Sequence, residues 1–262
     1  MKKYVLLFIL PFALTACKEE GCTDLAAVNY NPDADEHCCC EYANPEPNLR
    51  LQIKVLNKDG SALTINQNTQ DQFGRLIRFE KFEFYLSNLE AVHSVGSHVS
   101  PDVYLVKYDQ DYNIDLEVDE TNYLELKFNI GLDSVTNLSD PNSFPNNHAL
   151  SSAQQTYWSW QQMYRFALLE GRLDTNNDQN MDLLFSYHTG ENKALRSIVK
   201  DYSFEVYPDS LTVVPIEIYW EDIFLDGQQP IDIAQMKSSH MASAAEDSLG
   251  MILMDNFKHA IQ

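Results

Sequence analysis

The sequence predicts an all-β fold, mainly an antiparallel β-sandwich, that ends in a C-terminal helix. Three observations support this prediction. Apolar and polar residues alternate with a period of two from Leu49 onward, turn-rich gaps separate the alternating runs, and apolar residues recur at helical spacing near the C terminus. Helical segments do not alternate with the strands as they would in a parallel α/β fold, so antiparallel sheets are expected.

The chain begins with the features of a lipoprotein signal peptide over residues 1–16. Lys2 and Lys3 precede an apolar run, Tyr4–Leu14, that is too short to span a bilayer, and the run ends in Leu-Thr-Ala-Cys. This order predicts cleavage before Cys17 and lipidation of its thiol. An ordinary signal peptide with a nearby cysteine is the alternative. We therefore expect a membrane-bound lipoprotein of the outer membrane that faces the periplasm or the cell surface.

Strong acidity limits the partners of the chain. The whole sequence has 18 Lys and Arg against 39 Asp and Glu, a formal net charge of −21. Removing the two lysines of the leader leaves a charge near −23. Such a surface repels phosphate backbones, so no nucleic-acid partner is expected, whereas cations or a basic protein fit better.

Residues 17–48 form a cysteine-rich segment followed by a proline-containing linker. With Cys17 lipidated, four thiols remain, and cysteines outside the cytoplasm tend to pair. Because a bridge between adjacent cysteines is strained, we expect one disulfide from Cys22 to one of three neighbouring cysteines and leftover thiols in a stalk. Those three are Cys38, Cys39 and Cys40. A soft-metal site of His37 and the cysteines is the alternative.

Residues 49–262 are predicted to form one β-sandwich domain. Four alternating runs predict strands with one buried and one hydrated face. Their apolar residues are Leu49, Leu51, Ile53 and Val55; Ile114, Leu116 and Val118; Leu124, Leu126, Phe128 and Ile130; and Val214, Ile216, Ile218 and Trp220. Turn-rich gaps such as Asn57–Gly60 and Asp140–Ser143 separate the runs.

The last element is a predicted helix over Ala242–Ile261 that docks on the sheet. The evidence is a set of apolar residues at near-helical spacing. They are Met241, Ala245, Leu249, Leu253 and Phe257.

A ladder of Asp and Asn residues suggests a calcium loop. Its members are Asp174, Asn176, Asp178, Asn180 and Asp182. Calcium binds six to eight oxygen atoms, and alternating carboxylates and amides in a tight loop can supply some of them. The loop is not an EF-hand, because Gln179 replaces the turn glycine and Phe185 replaces the bidentate glutamate. The alternative is a solvated hairpin that uses Asn and Asp for their turn geometry.

His188 is the leading candidate metal ligand. It ends the apolar run Met181–Tyr187, just before Thr-Gly, where a ring nitrogen can be presented to a metal. A histidine that only makes hydrogen bonds is the alternative. His93 and His98 lie in a predicted loop that could approach another strand end.

Two tryptophans, Trp158 and Trp160, point to the same face of a predicted extended segment. They are candidate aromatic neighbours of the metal. Their alternative role is as core residues.

Four motifs, in order, resemble the MbnP-like copper-binding domain family. They are FEFYLSNLEAV (Phe82–Val92), LKFNIGLDSVTN (Leu126–Asn137), YWSWQQMYRFALLEG (Tyr157–Gly171) and FSYHTG (Phe185–Gly190). The resemblance extends over residues 49–262.

The resemblance implies copper bound by histidines, beside a tryptophan that is oxidised to kynurenine with the help of a dihaem cytochrome peroxidase-like partner. His188 matches the histidine of the family's Phe-x-x-His-x-Gly motif, and Trp158 and Trp160 match its Trp-x-Trp motif. We expect His93 or His98 to supply the second ligand. The chain has no C-x-x-C-H motif, so any haem would belong to the partner.

The chain has no sequence motif of a catalytic nucleophile, a zinc protease or a nucleotide-binding loop, so we do not expect an enzyme. The leading hypothesis is a cell-envelope lipoprotein that binds or handles copper. The alternative is a non-catalytic surface adhesion or scaffold β-sandwich with structural calcium.

Overall fold

The structure is a computed structural model that describes residues 18–25, 27–41, 46–109, 111–119, 121–159, 163–207, 210–224 and 227–262. The chain divides into two compact units, Met1–Glu46 and Pro47–Gln262. The predicted signal peptide, Cys17 and Trp160 lie outside the described residues. Within the described ranges, no helix combines the length and the apolar character needed to cross a membrane.

The N-terminal unit contains two short strands, β1 (Glu20–Gly21) and β2 (Glu36–His37), which pair in parallel. A disulfide joins Cys22, which directly follows β1, to Cys40, which lies shortly after β2. The structure therefore selects the last of the three cysteines that the sequence left open.

The two remaining cysteines differ from the expectation of free thiols. Cys38 and Cys39 are joined to each other in a second disulfide. The backbone at Cys39 is in the left-handed region, with φ 56°, and this local turn brings the adjacent side chains together. Because the four described cysteines are all in disulfides, they provide no thiolate for the soft-metal site that was the alternative.

The second unit contains the remaining strands and helices of the described chain. The strands are β3 (Leu49–Leu56), β4 (Thr69–Gln70), β5 (Leu76–His93), β6 (Gly96–Val99), β7 (Tyr104–Lys107), β8 (Tyr112–Leu116), β9 (Asn122–Ile130), β10 (Tyr157–Ser159), β11 (Met163–Leu173), β12 (Leu183–Gly190), β13 (Arg196–Glu205), β14 (Thr212–Tyr219) and β15 (Ser238–Ser239). The α-helices are α1 (Ser134–Asn137), α2 (Trp220–Ile223) and α3 (Ala244–Ala260), and single 3-10 turns occupy Pro141–Ser143, Ser152–Gln154 and Asn192–Ala194.

These strands form two sheets that share one hydrophobic core. The large sheet has the order β13-β9-β5-β11-β12-β15. In addition, β4, β6 and β7 pair with β5, and β10 pairs with β11. The small sheet has the order β14-β3-β8. Most neighbours are antiparallel, but β14–β3 and β12–β15 are parallel. The predicted fold class, a mainly antiparallel β-sandwich with a C-terminal helix, is confirmed.

Alternation explains how the strands build the core. Leu49, Leu51, Ile53 and Val55 of β3 are all buried, whereas the residues between them are partly hydrated. Fully burying an aliphatic side chain of this size stabilises the fold by about 1.5–3 kcal/mol.

Aromatic rings pack between the large sheet and helices α2 and α3. The ring of Phe79 meets Phe185 at a centroid distance of 5.4 Å and Trp220 at 5.2 Å, both edge to face. Phe257 of α3 meets Phe84 in the same way at 5.1 Å. Edge-to-face pairs are a favoured geometry for aromatic rings, and here they join the large sheet to α2 and α3.

The C-terminal helix α3 covers Ala244–Ala260, two residues inside the predicted start and one inside the predicted end. Ser243 is its N-cap, and its hydroxyl accepts a hydrogen bond from the backbone N–H of Glu246. Leu253, Met254 and Phe257 are buried and attach the helix to the sandwich.

Residues 132–159 pack on one face of the large sheet, here called the outer face, which also carries Glu170, Ser186 and His188. The Tyr85 hydroxyl donates to the carbonyl oxygen of Ala149 at 2.9 Å and lies 2.6 Å from the Thr156 hydroxyl. The Tyr164 hydroxyl donates to the carbonyl oxygen of Leu150 at 2.8 Å. These bonds fix the segment that leads into β10.

Candidate metal centre

Strand β12 presents His188 on the outer face. Phe185, Tyr187 and Thr189 are fully buried in the core, so the residues between them, Ser186 and His188, point the other way. The alternation of this strand therefore places a hydroxyl and an imidazole side by side on the outer face.

The short strand β15 brings a second imidazole, that of His240, beside His188. Ser238 pairs with Ser186 and Ser239 with Tyr187 in parallel register, so His240 follows on the same face as His188. The two imidazole rings lie 4.9 Å apart between centroids, at an interplanar angle of 64°.

Side-chain contacts hold the β15 segment in this register. The Tyr187 hydroxyl donates to the carbonyl oxygen of Met236, and the Ser239 hydroxyl donates to the carbonyl oxygen of Glu246 at 2.7 Å. The Met241 sulfur accepts from the backbone N–H of Gly190 at 3.3 Å. Contacts on both sides of His240 thus fix its position along the sheet edge.

Trp158 of β10 lies against both imidazoles. Its ring centroid is 5.9 Å from that of His188 and 5.9 Å from that of His240, with nearly perpendicular ring planes. The Arg165 guanidinium lies 5.7 Å from the Trp158 ring centroid, within cation–π range. Trp158 is 41% exposed, whereas the His188 side chain beneath it is 12% exposed.

Polar groups converge on the ε nitrogens of the two rings. His188 Nε2 lies 2.6 Å from Glu170 Oε1, and Ser186 Oγ lies 3.2 Å from the Nε2 atoms of both His188 and His240. Lys81 Nζ lies 4.0 Å from the same carboxylate oxygen of Glu170.

The electrostatic environment favours a charged Glu170 carboxylate and a neutral His240 imidazole. The hydrogen bond from His188 lowers the pKa of Glu170 below its ordinary value, and the charge of Lys81 acts in the same direction. Burial lowers the pKa of His240, and the nearby His188 lowers it further. A neutral imidazole has the lone pair that a metal requires.

His93 and His98 do not join this cluster. They lie in the β5–β6 hairpin, where His93 pairs with Gly96 and contacts the Tyr123 ring at 5.6 Å. Glu83 of β5 is level with His188, because both pair with the same residue of β11. His93 is ten residues further along β5, about 30 Å away in extended backbone. The histidines expected to supply the second ligand therefore lie away from His188, and the imidazole beside His188 is that of His240.

The Asp/Asn ladder forms a hydrogen-bonded loop. The Asp174 carboxylate accepts from the backbone N–H groups of Asn176, Asp178 and Gln179. Asp182 accepts from the backbone N–H and the hydroxyl of Thr175. Carboxylate oxygens that accept from the loop's own amides are the pattern of the hairpin alternative. The backbone N–H of Asn180 donates to the Asp178 carboxylate at 2.8 Å.

The donor set restricts the metal. Among the described residues, no three or more His, Cys, Asp or Glu side chains are grouped to hold one ion. Structural zinc requires four protein ligands, and calcium requires six to eight oxygen atoms. Imidazole nitrogen is a donor that suits copper among other transition metals, so the two imidazoles are compatible with a copper ion.

Comparison with known proteins identifies the family. The MbnP family model matches residues 46–242, which is most of the chain. The chain belongs to the MbnP family. His188, His240 and Trp158 all lie within the matched region of this MbnP family member. The predicted family resemblance is confirmed, and with it a copper-related role at the level of the family.

A solved structure, MbnP from Methylosinus trichosporium, is also similar to this chain. The two are 12% identical, the match covers 66% of this chain and 76% of that one, and the TM-score is 0.47. At this similarity the family assignment rests on the family match. No curated protein sequence matches the chain.

Several residues of the cluster were not found from the sequence. His240 follows a two-residue strand in which no periodicity can be detected, and Arg165 and Glu170 have no motif of their own. The family motif that ends in Glu170-Gly171 contained the one usable signal. Trp158 contacts both histidines, and Trp160 lies outside the described residues.

Proposed function

We propose that this protein is a cell-envelope lipoprotein that binds copper through His188 and His240. The observation that carries the proposal is the 4.9 Å approach of two imidazole rings beneath Trp158, in a chain of the MbnP family. The two rings come from separate parts of the sequence and meet on one exposed face, as a metal site requires.

Copper is the metal that the family suggests, and the cluster offers two imidazoles beside the Glu170 carboxylate and the Ser186 hydroxyl. Cu(I) is a soft ion that needs few ligands, and imidazole is among the donors that suit copper. The Met241 sulfur is close by but accepts a hydrogen bond from Gly190. Met163, another thioether, accepts from the Tyr157 hydroxyl at 3.7 Å. When bound, copper would supply a centre that can gain or lose one electron.

The proposal includes the cellular setting predicted from the sequence. The leader and Cys17 would anchor the protein through lipid in the outer membrane, with the β-sandwich facing the periplasm or the cell surface. The protein would act by binding and not by catalysis. Its formal charge of −21 favours cations and basic partners, and a dihaem cytochrome peroxidase-like protein is the partner that the family suggests.

Competitive titration of Cu(I) against a chromophoric chelator tests the copper site. We expect His188→Ala and His240→Ala each to weaken binding by at least about 100-fold, since loss of a direct ligand should exceed the 10–100-fold cost typical of outer-shell changes. His93→Ala and His98→Ala are matched controls on the same sheet and should bind as the wild type does. Unchanged binding by His240→Ala would refute the proposed pair.

Peptide mass analysis of protein from its native host tests the role of Trp158. The proposal predicts kynurenine in the peptide that contains Trp158, which lies against both ligands. The buried Trp220 provides an internal control, because it lies in the core and should remain tryptophan. Unmodified Trp158 in copper-loaded native protein would exclude the oxidation and leave copper binding standing.

A further inference from the structure

We infer that Arg165 is a positioning residue for the copper site: its guanidinium fastens the chain just before Trp158 and lies against the indole, so that the tryptophan stays over the imidazoles of His188 and His240. The inference rests on the proposed function and adds the residue that keeps the aromatic neighbour in place. It also assigns a role to an arginine that the copper proposal does not use.

Trp158 needs support from outside the core. It lies in β10, a strand of only three residues, and its side chain is exposed. Ordering an exposed side chain costs conformational entropy that core packing does not offset, so specific contacts must hold it. Its ring nevertheless lies at the same distance, 5.9 Å, from both imidazole rings. A neighbouring group must therefore fix the indole in this position.

A β-bulge in β11 places Arg165 where it can do so. Arg165 pairs with Gly190 and Ala167 with Thr189, so two steps along β11 correspond to one step along β12. Bulges of this kind often redirect a side chain near a functional site. Gly190 lies two residues beyond His188, so Arg165 is level with a residue of the outer face.

The contacts of Arg165 converge on the residues that precede Trp158 and on its indole. The backbone N–H of Arg165 donates to the carbonyl oxygen of Thr156 at 3.0 Å, and Nε donates to the same oxygen at 3.3 Å. Nη2 donates to the carbonyl oxygen of Gln155. The guanidinium carbon lies 5.7 Å from the Trp158 ring centroid. A planar guanidinium can bind two carbonyls and an aromatic ring together, whereas a lysine cannot.

The position of Trp158 matters for the imidazoles below it. Trp158, Arg165, His188 and His240 line one narrow pocket, and the His188 side chain is largely buried there. The groups around a metal site control its access to water. Arg165 therefore affects the copper site through Trp158 and does not touch the metal.

NMR of the metal-free protein tests the position of the indole. We expect nuclear Overhauser contacts between the Trp158 ring and both histidine rings, and their loss in Arg165→Met. Arg165→Lys should lose them too, because lysine keeps the charge but not the planar fork. Arg172→Met is the matched control, since Arg172 lies on the same strand but binds Glu80 at 2.9 Å. Wild-type ring contacts in Arg165→Met or Arg165→Lys would overturn the inference and leave copper binding intact.

Titration of Cu(I) against a chelator measures the effect on the site. Removal of a nearby positive charge would by itself favour a bound cation, so the sign of the change separates charge from position. We expect Arg165→Met and Trp158→Ala each to weaken Cu(I) binding by about 10-fold.

The double variant shows whether Arg165 acts through Trp158. It should bind Cu(I) no more weakly than Trp158→Ala, because the two residues form one unit. Losses that add in the double variant, or an Arg165→Met protein that binds as tightly as the wild type or more tightly, would overturn the inference. Absence of Cu(I) uptake by the wild type would overturn the proposed function, and the ring contacts would still decide whether Arg165 places Trp158.

Discussion

Replacing Asp174 by alanine tests whether the acidic loop after β11 is held by its own hydrogen bonds. The Asp174 residue is 1% exposed. Its Oδ1 atom accepts from the backbone N–H groups of Asn176 at 3.2 Å and Asp178 at 3.3 Å, and its Oδ2 atom accepts from Gln179 at 2.7 Å. Asp174→Ala removes all three acceptor contacts at once.

The size of the effect follows from these bonds. A hydrogen bond to a charged group contributes about 1.5–3 kcal/mol, but the amides of this exposed loop regain water when the carboxylate is removed. We therefore expect a loss of about 2–3 kcal/mol in the free energy of unfolding for Asp174→Ala. Asp174→Asn keeps one acceptor oxygen and should lose about 1 kcal/mol. In a domain of this size, the alanine variant should melt about 5–10 °C lower.

Thermal unfolding followed by circular dichroism, in millimolar calcium and in excess chelator, measures the effect. Asp178→Ala is the matched control, because Asp178 lies in the same loop and its side chain accepts from one amide, that of Asn180. The control should lose less than about 1 kcal/mol. The hydrogen-bond explanation predicts the same loss with and without calcium.

Two results would refute this reasoning. One is an Asp174→Ala protein that melts with the wild type in chelator, since the three bonds would then contribute nothing. The other is a wild type that chelator alone destabilises as much as the substitution does, since calcium would then account for the loop.

Two further substitutions test the fold. Gly171→Ala should lower the free energy of unfolding by about 3 kcal/mol or more, because the added Cβ would lie 2.2 Å from a backbone oxygen and 2.5 Å from the Phe185 ring. The loss should be seen as less soluble protein or a lower melting temperature. Gly96→Ala is the control and should fold normally, because its added Cβ would have no contact closer than 3.4 Å. Burial alone would raise the pKa of Asp133. Hydrogen bonds from Thr136 and from the backbone N–H of Val135 outweigh burial and hold that pKa below 3.8. Asp133→Ala should therefore cost about 1 kcal/mol at pH 7. Denaturant titrations should show this difference shrinking as the pH falls below 3.8 through the lowered pKa, and a difference that persists in acid would contradict the assignment.

Local patterns predicted the strands well because burial alternates along them. The run that begins at Leu49 is β3, the run around Ile114 is β8, and the run that ends at Ile130 is β9. The run that ends at Trp220 is β14 up to Tyr219, after which the chain turns into α2. A period of two identifies a strand but not its neighbour, so the parallel pairing of β14 with β3 was not anticipated.

The candidate site was only half predictable for the same reason. His188 and Trp158 lie in recognisable motifs, whereas His240 is placed by the register of a strand of two residues. Such a strand is too short to show periodicity. The histidines of the β5–β6 hairpin were favoured because their predicted loop could approach another strand end, but the length of β5 carries them away from His188.

The position of β15 makes the imidazole pair depend on a late part of the sequence. Strands β11 and β12, which carry Glu170 and His188, pair with each other and precede Ser238, which aligns beside Ser186. A polypeptide that ends before Ser238 would retain one imidazole and the carboxylate but not their counterpart. In a protein that crosses a membrane from its N terminus, the imidazole pair would therefore not exist until residue 240 had emerged on the far side.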